Sequence, residues 1–365
     1  MKISELYTYA PKSRIKAGQA NPSGKYQFYA SSPDENRRCD EFLYDAPAII
    51  MGTGGSATLH YYDGKFATST DCLTLIPNEK VIPKYLYYFF LGNFDVLEAG
   101  FKGAGLKHTN KGYIDNIDIM DLPSLSRQKE VVALFNRLNL ILTQRKKQID
   151  ELDNLIKARF VEMFGLPGTD PFGYGKTKLG SCCEINPRKA DDKRLVNNIK
   201  VSFVPMPSVS ENGEIDASDI RTYNEVKKGF TYFAENDVLF AKITPCMENG
   251  KGAVAKGLVN GVGFGSTEFH VLRPIDNLSN PRWIYTVTSF KTFRKDAESN
   301  MTGSAGQRRT PASFLENYEI SIPPIELQDQ FANFVSQVDK SKFAIQKSLE
   351  KTQLLFDSLM QEYFG

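Results

Sequence analysis

Two stretches of the sequence, 200 residues apart, decide the fold. Residues 123–165 read PSLSRQKEVVALFNRLNLILTQRKKQIDELDNLIKARFVEMFG, and residues 323–365 read PPIELQDQFANFVSQVDKSKFAIQKSLEKTQLLFDSLMQEYFG. They align without a gap, with identical residues at Pro123/Pro323, Gln128/Gln328, Lys147/Lys347, Leu155/Leu355, Glu162/Glu362, Phe164/Phe364 and Gly165/Gly365. The chain therefore contains an internal repeat.

Apolar residues recur in both stretches with the spacing of a heptad. The first stretch supplies Val131, Leu138 and Leu152 at one position, and Phe135, Leu142, Ile149, Ile156 and Met163 at the other. The second supplies Phe331, Val338, Ile345 and Leu359, with Val335, Leu349, Phe356 and Tyr363. This period of ~3.5 residues predicts long helices that pack as a coiled coil. The seam is interrupted at Arg145, Arg159, Lys342 and Thr352.

Proline and glycine mark the ends of these helices. Pro123 and Pro323 cannot lie inside a helix, so each marks a start. Gly165, followed by LPGTD, marks the end of the first helix. We predict helices of about 37 residues, each about 55 Å long at ~1.5 Å per residue.

The repeat continues upstream of both helices. GAGLKHTNKGYIDNIDI (103–119) and SAGQRRTPASFLENYEI (304–320) correspond, and Ser69-Thr70-Asp71 matches Ser266-Thr267-Glu268. The chain is therefore two tandem copies of a globular domain followed by a long helix. Four predicted segments result, which are a domain at 1–122, a helix at 123–165, a domain at 166–322 and a helix at 323–365.

Each globular domain has the pattern of mixed α+β structure. Short apolar runs at 48–52, 57–62, 66–70 and 72–76 predict strands. Asp63-Gly64 lies between two of these runs and predicts the turn of a hairpin, HYYDGKFAT. Apolar segments at 83–91 and 281–293 predict short helices.

Composition limits the class of protein. The chain has 365 residues with 45 Lys plus Arg and 43 Asp plus Glu, so its net charge is +2. That balance excludes a strongly basic chain and an acidic disordered one, yet a local basic face stays compatible with it. The start of the sequence has no apolar leader, and no run approaches the ~20 apolar residues that span a bilayer. We therefore expect a soluble, cytoplasmic protein that does not use a membrane.

Cysteine and histidine spacing predicts no metal site and no cofactor. The chain has five cysteines and three histidines, none in a metal-ligand spacing, at Cys39, Cys72, Cys182, Cys183, Cys246, His60, His108 and His270. Asp170-Pro171-Phe172-Gly173 approaches the base-holding loop of an amino-methyltransferase, but lacks its second proline. Methyl transfer by this chain itself is therefore not expected.

Two other motifs have a chemical and a structural interpretation. Pro33-Asp34 and Asp63-Gly64-Lys65 fit the letters of a metal-dependent nuclease, whose carboxylates hold Mg²⁺. The second copy has no equivalent, so we favour a turn at Asp63-Gly64. Gly52-Thr-Gly-Gly55 could cradle a phosphate through its N–H groups or form a tight turn.

Two loops at equivalent places in the copies are free of acidic residues. Residues 99–114 and 299–315 contain no Asp or Glu but several basic and amide side chains. Such residues suit phosphate contacts and base-edge hydrogen bonds, although a single such loop would suggest only a solvated surface. We predict DNA contacts at Lys102, Lys107, Thr109, Ser69, Thr70, Lys242, Asn249, Lys251, Ser266, Thr267, Gln307, Arg308, Arg309 and Thr310.

The motif that opens both helices resembles that of a known family. Pro123-Ser-Leu-Ser-Arg-Gln128 and Pro323-Pro-Ile-Glu-Leu-Gln328 share Pro-x-(Leu/Ile)-x-x-Gln, which looks like the specificity (S) subunit of type I restriction–modification systems. SGKYQFYASS (23–32) and KLGSCCEINPRK (178–189) are similar to segments of that family's target-recognition domains. The resemblance covers essentially the whole chain.

This resemblance implies a division of labour. Residues 1–122 and 166–322 would be target-recognition domains that each read one half of a bipartite site in double-stranded DNA. The two spacer helices would pack as an antiparallel coiled coil with pseudo-two-fold symmetry and set the unread spacing. Two modification subunits, which methylate adenine, would dock on the chain, and restriction subunits would add translocation and cleavage. The chain itself would be non-catalytic.

Two other functions stay open at this point. One is a single-chain Mg²⁺-dependent nuclease that uses Asp34, Asp63 and Lys65. The other is a coiled-coil adaptor whose loops touch only protein. Cleavage by the purified chain would favour the first, and the absence of any sequence preference would favour the second.

Overall fold

The computed structural model describes residues 1–103, 105, 107–196, 198–304 and 306–365. Contacts within the chain divide it into two units. Unit 1 consists of residues 1–147 and 346–365, and unit 2 of residues 148–345. Both long helices contribute residues to both units, because each unit boundary falls inside a helix.

Unit 1 contains eight strands among its described residues. They are β1 (Tyr7–Tyr9), β2 (Tyr26–Tyr29), β3 (Arg38–Cys39), β4 (Tyr44–Asp45), β5 (Ala48–Gly52), β6 (Leu59–Tyr62), β7 (Lys65–Thr68) and β8 (Cys72–Pro77). Its helices are α1 (Pro83–Gly92), α2 (Phe94–Ala99), α3 (Lys111–Asp115) and the first part of α4 (Leu125–Phe164). Short 3-10 turns lie at Ile3–Leu6 and Ala17–Gln19.

Unit 2 contains the same order of elements, with further short strands and helices between them. Its strands are β9 (Lys176–Lys178), β10 (Cys183–Ile185), β11 (Lys200–Val204), β12 (Ile220–Thr222), β13 (Thr231–Ala234), β14 (Val238–Ala241), β15 (Gly252–Val254), β16 (Val262–Gly265), β17 (Phe269–Pro274) and β18 (Glu319–Ser321). Its helices are the end of α4 from residue 148, α5 (Leu179–Cys182), α6 (Tyr223–Val226), α7 (Pro281–Ser289), α8 (Lys291–Ser299), α9 (Ala312–Asn317) and the first half of α10 (Ile325–Phe364), up to residue 345. Short 3-10 turns lie at Lys189–Asp191, Met206–Ser208 and Val259–Gly261.

The two four-stranded sheets of each unit have the same strand order, and unit 2 also has a two-stranded sheet of β9 and β18. Unit 1 has sheets in the order β1-β8-β5-β6 and β3-β2-β7-β4, and unit 2 has β10-β17-β14-β15 and β12-β11-β16-β13. Adding nine to each strand number of unit 1 gives unit 2. Each unit has one parallel pair, β2 with β7 and β11 with β16. The sequence repeat is thus a repeat of the fold, and the predicted mixture of helix and strand is confirmed.

The predicted hairpin at Asp63-Gly64 is wrong. β6 pairs with β5 in one sheet, whereas β7 pairs with β2 and β4 in the other. Gly64 has a φ of +134°, so the turn itself is real. It carries the chain from one sheet to the next, because local turn chemistry specifies a reversal and not the partners of the flanking strands.

In unit 1 the beginning of α4 packs against the end of α10. The Phe135 ring is fully buried, with its centroid 5.2 Å from that of Phe356 and 5.7 Å from that of Phe364. Arg127 donates a hydrogen bond to the Tyr363 hydroxyl at 3.2 Å. Residue numbers rise along one helix as they fall along the other, so these two segments run antiparallel.

In unit 2 the end of α4 packs against the beginning of α10, again antiparallel. The ring centroids of Phe160 and Phe331 are 5.4 Å apart. Lys342, which interrupts the predicted apolar seam, forms an ion pair with Asp153. A carboxylate on the facing helix therefore neutralises this lysine, and the seam tolerates it.

Near the helix ends, the buried residues no longer fall at the heptad positions. Phe160 and Phe364 are buried, whereas Met163 and Tyr363, which the heptad places in the seam, are half-buried. The Phe160 ring lies 5.1 Å from Phe290, which joins α7 to α8. At this end the helix packs against its globular domain as well as against the other helix. The buried residues therefore recur every four positions, as at Phe160 and Phe164, and not with the spacing of the heptad.

A buried glutamine fastens the start of each long helix. Gln328 and Gln128 are both fully buried. Gln328 accepts a hydrogen bond from the Asn280 N–H and Gln128 accepts one from the Ile82 N–H. Each amide also donates to carbonyl groups, so the glutamine of the repeated motif ties the long helix to the turn before α7 or α1.

Within the part of the chain that the structure describes, no helix is long and apolar enough to cross a membrane. The same residues contain no group of three or more His, Cys, Asp or Glu side chains that could hold a metal ion.

Candidate nucleic-acid interface

The acid-free segment of the second copy folds back on itself. Thr302 and Arg309 exchange both backbone hydrogen bonds, at 3.0 and 2.8 Å. The Thr310 N–H donates to the Lys242 carbonyl at 2.9 Å, which anchors the returning side to the end of β14. We call the described residues of 302–310 the second loop.

The first copy has the same arrangement. Lys102 and His108 exchange both backbone hydrogen bonds at 3.0 Å, and the Thr109 N–H donates to the Thr53 carbonyl at 3.1 Å. We call the described residues of 102–109 the first loop. The first loop follows α2 and the second follows α8, and each lies against the end of the third strand of its sheet, β5 or β14, so the repeat reproduces their placement.

The second loop is acid-free in sequence but not in space. The Arg309 guanidinium donates two hydrogen bonds to the Glu268 carboxylate, at 2.9 and 2.8 Å. These bonds hold the pKa of Glu268 below its ordinary value. Arg308 lies 3.7 Å from Glu248 and 3.6 Å from Glu298. Acidic side chains from other elements thus offset much of the charge of this loop.

The cations of the first loop are more available. Lys102 and Lys107 are exposed, and in the ranges described above no ion pair involves either side chain. In unit 2 the polar side chains of Gln307, Asn249 and Thr267 are exposed as well. These five residues present donors and acceptors to solvent, which is what contact with phosphates and base edges requires.

Three of the predicted contact residues lie in the interior. Ser69 is fully buried, Thr310 is 1% exposed and Thr109 is 9% exposed. Thr109 and Thr310 hold equivalent places at the base of the two loops, where their N–H groups anchor the chain. Their side chains face the protein in this conformation.

The remaining predicted contacts are partly buried. Burial lowers the pKa of Lys242. The Lys251 ammonium lies 3.5 Å from the Met206 carbonyl, and Ser266 and Thr70 are half-buried. Arg308 and Arg309 are half-buried as well.

The glycine-rich segment Gly52–Gly55 is a tight internal turn and not a free phosphate cradle. The N–H groups of residues 53–55 already donate within unit 1, to the Asp71 carbonyl, the Ser31 hydroxyl and the Lys107 carbonyl, at 2.8, 3.2 and 2.9 Å. These donors are therefore occupied.

The residues of the nuclease hypothesis have other partners. Asp34 accepts a hydrogen bond from the Arg37 side chain at 3.3 Å. The Lys65 ammonium lies 4.0 Å from Asp45 and 4.7 Å from the centre of the Phe42 ring. Asp34 and Lys65 are thus engaged outside the predicted trio.

Neither Glu268 nor His270 is among the predicted contact residues. His270 lies 2.9 Å from the Thr310 carbonyl through Nε2, and its Nδ1 lies 3.1 Å from the Asn186 amide nitrogen. Burial lowers the pKa of His270. The signal that could have found both residues is the Ser-Thr-(Asp/Glu) repeat, because it places Glu268 and His270 directly before and within β17.

The geometry defines a class of protein: a duplicated α+β chain in which each copy presents a polar loop on the same scaffold and ends in a long helix. The chain belongs to the type I restriction modification DNA specificity domain family, whose model matches residues 1–152 and 171–354.

Two relatives with similar sequences are named as specificity subunits of type I restriction enzymes. The chain is 39% identical over 199 residues to the EcoAI specificity subunit of Escherichia coli, and 40% identical over 198 residues to the EcoEI specificity subunit of the same organism. Each alignment covers 52% of this chain, and the chain spans about a third of those relatives, 33% and 32% of their lengths.

A solved structure shares the fold over the full chain. The type I restriction–modification S subunit from M. genitalium superposes with a TM-score of 0.61 and 14% sequence identity. The match covers 100% of this chain and 95% of that one.

Proposed function

We propose that this chain is the DNA-specificity subunit of a type I restriction–modification complex and is not itself catalytic. Residues 1–122 and 166–322 act as target-recognition domains, and each reads one half of a bipartite site in double-stranded DNA. The observation that carries this proposal is the duplication of one polar loop on one sheet topology. Two readers on one chain suit a target with two halves.

The helices at 123–165 and 323–365 act as spacers in this proposal. They pack as an antiparallel coiled coil with pseudo-two-fold symmetry, and its length sets the number of unread base pairs. Helix α4 has 40 residues and is therefore ~60 Å long. That length suffices for two readers one duplex turn apart, ~34–36 Å.

The partners in this proposal are two modification subunits, which methylate adenine in the cytoplasm, and restriction subunits, which translocate and cleave DNA. Exposed apolar side chains on α10 support docking along that helix, since Phe343 is 71% exposed and Leu354 is 70% exposed. The names of the E. coli relatives, as specificity subunits of restriction enzymes, support the same assembly.

Mapping of methylated adenine tests the proposed function. The chain is expressed with its modification subunit in a host without other adenine methylation, and the genome is sequenced for modified bases. We expect one split motif with methylated adenine in both halves. A contiguous motif, or unmodified DNA from cells that contain the assembled complex, would contradict the proposal. Cleavage of DNA by the purified chain with Mg²⁺ would support the nuclease instead.

The exposed lysines of the first loop should contribute to the salt dependence of DNA binding. In the assembled complex, Lys102→Ala with Lys107→Ala should reduce the slope of log affinity against log salt by about 2, because each phosphate contact accounts for ~0.9 of that slope. Lys129→Ala, at an exposed position on α4, is the matched control. An unchanged slope in the double variant would show that these lysines do not contact DNA phosphates.

A further inference from the structure

Unit 2 fastens its loop with side chains that unit 1 lacks at the equivalent places. In unit 1 strand β1 pairs Tyr9 with Leu75, and in unit 2 strand β10 pairs Ile185 with Leu272. This register places Glu268 at the position of Asp71, His270 at that of Leu73, and Asn186 at that of Ala10. The differences therefore lie directly beneath the two loops.

The Glu268 carboxylate joins the loop to the strand below it. It accepts both hydrogen bonds of a bidentate pair from Arg309, and the same guanidinium donates to the Gln307 carbonyl at 3.2 Å. The Glu268 carbonyl also accepts from the Lys242 N–H at 2.9 Å. A bidentate carboxylate fixes both the position and the plane of an arginine, so Arg309 braces the loop from within.

His270 makes a second connection. Its Nε2 lies 2.9 Å from the Thr310 carbonyl, so Nε2–H must be the donor there. Its Nδ1 lies 3.1 Å from the Asn186 amide nitrogen and 3.3 Å from the amide oxygen, and that oxygen already accepts the Val271 N–H. A neutral imidazole with the proton on Nε2 therefore satisfies both contacts, with Nδ1 as the acceptor. The charged groups that face it are Lys242 and Glu268.

Among the described residues of the first loop, neither connection is present. Leu73 and Ala10 have no polar side-chain atoms, and beneath the loop lies a cavity of about 280 Å³ whose lining includes Leu73, Ala10 and Thr109. His108 contacts the Thr53 carbonyl at 3.2 Å, while the side chain of Asp71 accepts a hydrogen bond from its neighbour Thr70.

We propose that Glu268 and His270 are positioning residues that hold the second loop in its binding conformation before DNA arrives. Arg309 then belongs to this brace, and Gln307 and Arg308 face the DNA. A loop that is already ordered loses less conformational freedom on binding and adapts less to a wrong base. Unit 2 should therefore discriminate its half-site more strictly than unit 1. This inference rests on the proposed function.

The test measures methylation by the assembled complex on duplexes that carry one wrong base pair in either half of the mapped motif. Gln307→Ala identifies the half that unit 2 reads. Glu268→Gln should lower discrimination in that half about tenfold, leave the other half unchanged, and leave the salt dependence of binding unchanged. Glu268→Asp, which keeps the carboxylate, should retain more of the discrimination than Glu268→Gln.

The converse variant installs the brace in unit 1. Ala10→Asn with Leu73→His should raise discrimination several-fold in the half-site that unit 1 reads. His270→Leu should lower discrimination in the half-site that unit 2 reads. Thermal unfolding of each variant separates loop positioning from loss of fold. If the wild type methylates a split motif while Glu268→Gln and His270→Leu keep full discrimination at an unchanged melting temperature, this inference is wrong and the proposed function stands. If no split motif exists, the proposed function itself fails.

Discussion

Replacing Gln328 with leucine should lower the free energy of unfolding of unit 2 by about 3 kcal/mol. Gln328 is fully buried, accepts from the Asn280 N–H at 2.9 Å, and donates to the Leu278 and Pro323 carbonyls at 3.0 and 2.8 Å. Leucine has a similar volume but leaves all three backbone groups without these partners. Each buried polar group left unpaired costs about 1–3 kcal/mol.

Denaturant unfolding followed by the fluorescence of Trp283 measures this effect. Trp283 is the single tryptophan of the sequence and is buried in the core of unit 2. Gln330→Leu makes the same chemical change at an exposed position two residues further along α10 and should change stability by less than about 0.5 kcal/mol. Equal midpoints for the two variants would show that Gln328 does not fasten the helix.

Replacing Phe135 with alanine should lower the free energy of unfolding of unit 1 by about 3–5 kcal/mol, which is the usual cost of this change at a buried phenylalanine. The ring is fully buried and lies 5.1 Å from Tyr88, 5.2 Å from Phe356 and 5.7 Å from Phe364. It therefore joins α4 to both α1 and the end of α10, and alanine would leave a cavity among all three.

Circular dichroism during denaturant unfolding follows this loss. Leu140→Ala is the matched control, because Leu140 lies on the same helix with 57% of its surface exposed. A control variant that loses as much stability as Phe135→Ala would mean that the helix surface, and not the buried ring, carries the packing energy. A small loss in both variants would mean that unit 1 repacks around the cavity.

The long helices were predictable from the sequence because their signals are local. The heptad and the flanking prolines predict helices of about 37 residues that begin near residues 123 and 323, and the structure has 40-residue helices at Leu125–Phe164 and Ile325–Phe364. The division into four segments at 122, 165 and 322 stays a prediction. The burial of Phe160 in place of Met163 is not predictable from the heptad, because it depends on contact with Phe290, more than 100 residues away in the sequence.

Strand partners were less predictable than the strands themselves. Residues 48–52 and 72–76 were identified from their apolar runs, and β5 and β8 lie there. The sequence around Asp63-Gly64 predicts a hairpin, yet β7 pairs in parallel with β2, in a different sheet from β6. Pairing with a strand nearly 40 residues earlier depends on the collapse of the whole domain, which no local pattern records.

The sequence by itself determined that this protein is a duplication, where its long helices lie, and where each copy carries a polar loop. The tertiary structure alone decided the electrostatics of those loops. Arg309 is paired with Glu268, 41 positions earlier, and Arg308 lies beside Glu248 and Glu298. Lys102 and Lys107 stay exposed in the equivalent loop. Charges interact through space and not along the chain, so a loop without acids in its sequence acquires them from the strands and helices packed around it.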